Sequence, residues 1–118
     1  MIIDEAETTK RTYYFLKSYK SLVKLSNFEG KHGAFEARAI EIVNMIQSYR
    51  DSLDDVKREI FYNLFIVSQR KKQTLKQLYQ SLAIDKVAYE HLKAEILLGF
   101  AKSYRGGVLL VYQNRFNH

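Results

Sequence analysis

The chain has no cysteine and no proline. The first absence excludes disulfides, thiolate metal sites and cysteine nucleophiles. The second leaves few points where a helix must stop: Gly30, Gly33, Gly99 and the pair Gly106–Gly107. No apolar run approaches the roughly 18 residues of a membrane-spanning helix. The opening MIIDEAETTK is acidic, where a signal peptide is basic and then apolar. His32, His91 and His118 lie far apart, and none has a partner at metal-ligand spacing. No serine, histidine and acid arrangement and no glycine-rich phosphate cradle is present. The carboxylate pairs Glu5/Glu7 and Asp54–Asp55 fall at helix starts, where capping is the simpler role. These absences predict a cytoplasmic protein that is not an enzyme. They also predict no cofactor, no metal site, no small-molecule substrate and no membrane partner.

What is present points to one all-α domain. The 118 residues are enough for a single core, and 47% hydrophobic with 27% charged residues is ordinary for a globular chain. Apolar residues recur at steps of three and four in three stretches. These predict helices over about 4–27, 34–52 and 55–68, together an N-terminal helical part over 1–69. Phe35, Ala39, Ile42, Val43, Ile46 and Tyr49 form the stripe of the second. Val56, Ile60, Leu64 and Val67 form that of the third, with Asp54 as its N-cap. The segment NFEGKHG, residues 27–33, is the candidate hinge.

Residues 70–105 carry the distinctive pattern. Leu75 to Leu92, LKQLYQSLAIDKVAYEHL, reads as two helices joined by the turn Ala83-Ile84-Asp85. Leu78, Leu82, Ile84, Tyr89 and Leu92 fall where a helix-turn-helix buries its apolar residues. Thr74 and Asp85 are placed to cap the two helices. Two positions depart from the motif: Tyr79 stands where a small residue is usual, and Ala83 where a left-handed turn favours glycine. A plain αα-hairpin gives the same apolar spacing.

Charge is divided unevenly along the chain. Residues 1–69 hold ten Lys/Arg and ten Asp/Glu, whereas residues 70–118 hold nine against three and so carry the whole net charge of +6. A basic field confined to the helix-turn-helix suits double-stranded DNA, and equally an ordinary solvated basic face. On the DNA reading, the second helix presents Asp85, Lys86, Val87, Glu90, His91 and Ala94, with Lys93 beside them. Lys86, Val87, Glu90, His91 and Lys93 are the base-reading candidates, and Glu90 suits a cytosine amino group. Arg70, Lys71, Lys72 and Lys76 are the phosphate candidates. Asp85 and Glu90 sit poorly beside phosphates. A helical adaptor for RNA polymerase or a phage packaging component is the alternative.

The closing stretch YEHLKAEILLGFAKSYRGGVLLVY, Tyr89 to Tyr112, resembles the C-terminus of ArpU-family regulators, phage-encoded transcriptional regulators of Gram-positive bacteria. The opening T-x3-YYFLKSY-x2-L, Thr9 to Leu22, is similar to that family's first helix. The resemblance implies a DNA-binding regulator of late phage or lysis genes, with a helix-turn-helix like the promoter-reading domain of sigma factors. The family has serine or threonine near the start of the recognition helix, where this chain has Asp85, Lys86 and Val87. The expected architecture is a compact bundle of about five helices ending in this motif, followed by a short extended tail over 106–118. The apolar Val108 to Tyr112 and a long first helix offer more apolar surface than one bundle needs, which predicts a homodimer.

Overall fold

The computed structural model describes residues 2–27 and 33–113. The chain is all-α. Its helices are α1 (Glu5–Leu16), α2 (Tyr19–Ser26), α3 (Ala34–Ser52), α4 (Asp55–Phe61), α5 (Leu75–Leu82) and α6 (Lys86–Ser103). No helix among the described residues is long and apolar enough to cross a membrane. The candidate hinge at 27–33 lies mostly outside the described residues, as do the last five residues of the tail.

The single first helix expected over 4–27 is two. α1 ends at Leu16 and α2 begins at Tyr19. The Ser18 hydroxyl donates to the Phe15 carbonyl at 2.6 Å, and the Ser18 amide donates to the same oxygen at 3.1 Å. A serine that occupies a nearby carbonyl competes with the helical ladder. The break lets Leu16 and Tyr19 both turn inward, and both are buried. The third expected helix is also interrupted. α4 gives way to a π-helical turn over Tyr62–Ile66, where the Val67 amide donates to the Tyr62 carbonyl at 2.9 Å. The extra residue in that turn shifts the inward face, so that Phe61 and Phe65 are buried and Leu64 is only half-buried.

Gly99, read as a helix breaker, lies inside α6. Its missing side chain admits Tyr49 of α3, whose hydroxyl donates to the Ile96 carbonyl at 2.6 Å. α6 thereby becomes the central strut. Its residues Tyr89, Ile96, Leu97, Phe100 and Ala101 are buried in one core with Leu16, Ile46, Ile60 and Phe61. Phe100 sits among aromatic rings, 5.2 Å from Tyr49, 5.1 Å from Tyr104 and 6.0 Å from Phe15.

After α6 the backbone turns back through Arg105, Gly106 and Gly107, all at positive φ. The tail then pairs with the start of the chain. Ile3 and Tyr112 form an isolated antiparallel bridge, and the Asp4 amide donates to the Val111 carbonyl at 2.7 Å. The buried Thr8 hydroxyl donates to that carbonyl at 3.3 Å and accepts from the Val111 amide at 2.9 Å. The described tail thus packs on its own chain. Leu109 is buried, which takes up part of the apolar surface on which a homodimer was expected, while Val108 and Tyr112 stay exposed.

Candidate nucleic-acid interface

The helix-turn-helix segment is fixed at both of its entries. Asn63, buried on the π-helical turn, clamps the linker before α5: its Oδ1 accepts from the Gln73 amide at 2.9 Å and its Nδ2 donates to the Gln73 carbonyl at 3.2 Å. Immediately after the clamp, Thr74 caps α5. The Gln77 amide donates to Thr74 Oγ1 at 3.2 Å, and the Thr74 amide to Gln77 Oε1 at 2.9 Å. Two orphan amides of the helix start are satisfied reciprocally.

The turn has the form its spacing suggested. Ala83 adopts φ +55°, ψ +45°, the left-handed conformation that usually selects glycine. The Ile84 amide reaches back to the Tyr79 carbonyl at 3.0 Å, closing α5. Asp85 then caps α6, accepting from the Ala88 amide at 2.8 Å. Its carboxylate, which looked out of place beside DNA, is engaged in starting the helix. Tyr79, the other departure from the motif, packs its ring 5.3 Å from that of Tyr89. Tyr89 is fully buried, and burial together with the neighbouring Glu90 charge pushes its hydroxyl up to about 12. An aromatic pair here fills the space that a small residue leaves between closer helices.

Beyond the cap, Lys86, Val87, Glu90 and His91 stand exposed on the first turns of α6, with Val87 at 78% exposure. Lys93 is turned toward α1. Its ammonium lies 5.0 Å from the centre of the Tyr13 ring of α1, and the side chain is half-buried. The attraction of a cation for an aromatic face draws it toward α1. Ala94 likewise lines the hollow between α1 and α6. His91 is tied along its own helix: Nε2 lies 2.6 Å from Glu95, whose other oxygen meets Lys57 Nζ of α4 at 2.8 Å. Lys57, and then His91, hold the Glu95 carboxyl below its ordinary value. Of the base-reading candidates, Lys86, Val87, Glu90 and His91 are exposed together, while half-buried Lys93 is drawn toward α1 and lines the hollows there with Glu90.

Arg70, Lys71, Lys72 and Lys76 are all exposed. Lys72 shares a groove with Tyr13, Glu90 and Lys93. Arg70 and Lys71 stand on the turn before it, and Lys76 on the first turn of α5. None of the four is in an ion pair among the described residues.

Several contributors were not singled out from the sequence. Lys10 of α1 shares a hollow with Lys93, and Lys17, just past the end of α1, meets the same Tyr13 ring as Lys93, although their half of the chain is neutral by count. The spacing Lys10, Tyr13, Tyr14, Lys17 is the one local signal that could have placed them on one helical face. Glu95 and Lys57 order His91, and no spacing links α4 to α6. Asn63 gave no signal at all. No group of three metal-binding side chains occurs among the described residues. No protein-family model, curated protein or solved structure matches the chain.

Proposed function

We propose that this chain is a DNA-binding transcriptional regulator of phage or prophage late or lysis genes, working in the cytoplasm of the bacterial host. The observation that carries the reading is the exposed start of α6. Lys86, Val87, Glu90 and His91 project from a capped helix that follows a tight left-handed turn. A helix presented in this way suits the major groove, with its N-terminal residues at base edges. The confinement of the whole net charge of +6 to residues 70–118 supports it, as does the resemblance of Thr9–Leu22 and Tyr89–Tyr112 to ArpU-family regulators. Lys86 and His91 donate to bases, Glu90 accepts from cytosine, and Val87 meets a thymine methyl. Arg70, Lys71, Lys72 and Lys76 neutralise phosphates.

A second reading, an adaptor docking on RNA polymerase, is favoured by Glu90 and by the highly exposed Val87 on the same face. A fluorescence titration against late-promoter and random duplexes separates the two. The regulator binds the promoter well above the random sequence, and an adaptor does not. Removing Arg70, Lys71 and Lys72 together is expected to flatten the salt dependence of duplex binding by about 2–3 in log–log slope. An unchanged slope rules those three contacts out.

A further inference from the structure

A second basic surface adjoins the proposed duplex-reading face, with Glu90 and Lys72 on the border between them. Three hollows, of 300, 450 and 180 Å³, join along α1, α6 and the linker before α5. Tyr13 and Lys93 are common to the first two, and Lys72 to the last two, so the hollows form one trough. Lys10, Lys17, Lys20, Lys72 and Lys93 line it, and Glu90 is the one carboxylate among its described lining residues. None of the five lysines is in an ion pair among the described residues.

The arrangement at its centre asks for an anion. Lys17 and Lys93 both place their ammonium groups over the Tyr13 ring, at 5.3 and 5.0 Å, and so within about 10 Å of each other. Two ammonium groups held at one ring offer an anion a pair of charged donors. Beside them, Tyr14 is 65% exposed at the mouth of the trough, its ring set edge-on to Tyr13 at 5.7 Å. Uncompensated lysines along an open groove with an exposed aromatic face are the two elements of a single-strand platform.

We propose that the trough binds one unpaired nucleic-acid strand, with phosphates on Lys17 and Lys93 and a base stacked on Tyr14. The proposal does not rest on the duplex-reading face. Its test is fluorescence anisotropy with labelled oligothymidylate of about twelve nucleotides. The full chain is compared with Tyr14→Ala, Tyr14→Phe, the pair Lys17→Gln/Lys93→Gln, and Lys86→Gln on the other face. Thermal melting confirms that each variant folds.

Tyr14→Ala weakens binding about tenfold, because the stacking surface is lost, and Tyr14→Phe, which keeps the ring, leaves it unchanged. The lysine pair lowers the salt slope by about 1.4. Lys86→Gln retains single-strand binding. No binding of oligothymidylate at low salt, or binding by Tyr14→Ala equal to wild type, overturns the proposal. Equal weakening by Lys86→Gln and Tyr14→Ala also overturns it, since the strand then lies on α6. If promoter duplex fails to bind while oligothymidylate binds as described, only the regulator reading falls.

Discussion

Gly99→Ala separates helix propensity from packing in this fold. In an isolated helix the change stabilises by about 0.8–1 kcal/mol, because alanine is the better helix former. Here a Cβ at position 99 stands 2.6 Å from the Tyr49 hydroxyl oxygen and 3.6 Å from the ring carbon that bears it. The first distance is a clash and the second an ordinary contact. Tyr49 is not free to retreat, since its ring meets Phe61 at 6.1 Å and Phe100 at 5.2 Å, both edge-on. Overpacking costs about 1–3 kcal/mol. Losing the hydrogen bond to the Ile96 carbonyl adds about 0.5–1.5 kcal/mol. Against the propensity gain, the net is a destabilisation of about 2 kcal/mol, to be read from urea unfolding followed by circular dichroism. Tyr49→Phe removes the clashing atom, so Gly99→Ala in that background is expected to be neutral or stabilising. The double-mutant cycle then reports a coupling of about 1–3 kcal/mol. A Gly99→Ala protein more stable than wild type, or no rescue by Tyr49→Phe, would refute the account of Gly99 as the point of closest approach between α3 and α6.

Ala83→Gly relieves a left-handed alanine and is expected to stabilise by about 0.5–1 kcal/mol after the entropy of the unfolded glycine is counted; a lowered urea midpoint contradicts it. Asp85→Ala removes the cap of α6 and should cost about 1 kcal/mol in the same assay, whereas Asp85→Ser retains most of the stability. Tyr49 and Tyr89 are both pushed from 10.0 to about 12 by burial, so above pH 10 the unfolded chain releases protons that the folded chain keeps. Stability is therefore fully present below pH 10 and declines as pH rises toward 12, and the decline should be shallower in Tyr49→Phe. Glu95 is held below 4.5 chiefly by Lys57, so its contribution is present above 4.5 and is lost as pH falls through the lowered value. In Lys57→Met the Glu95 carboxyl resonance should titrate closer to 4.5, and an unmoved titration removes Lys57 as the cause.

The helix-turn-helix segment was legible because its signals are local. Thr74, Asp85 and Asp54 sit at helix starts and accept from the amides that their positions imply. Leu78 and Tyr89 are buried where the spacing put them. The break at Ser18 was not legible, because serine and lysine are tolerable inside a helix and the decision rests on burying Leu16 and Tyr19 together. Gly99 misled for a related reason: glycine reads as a stop, yet here it answers to a tyrosine fifty positions earlier. Lys93 was grouped with the exposed face by its helical position, and only the arrival of α1 supplies the ring that draws it away. Where a side chain's environment is built by a distant element, local spacing carries no record of it.

The junction at Val111 has a consequence for the order in which the molecule is made. Thr8 is fully buried, and its hydroxyl exchanges hydrogen bonds with Val111, 103 residues later. On the ribosome, the first helix emerges early, and the partner of its threonine follows only 103 residues later. Until Val111 arrives, Thr8 must face water or remain unpaired, which weakens the seat of α1 against α6 by about 1–3 kcal/mol. The final placement of the first helix is therefore a late event, and a nascent chain stopped just short of Val111 should leave α1 open to proteolysis.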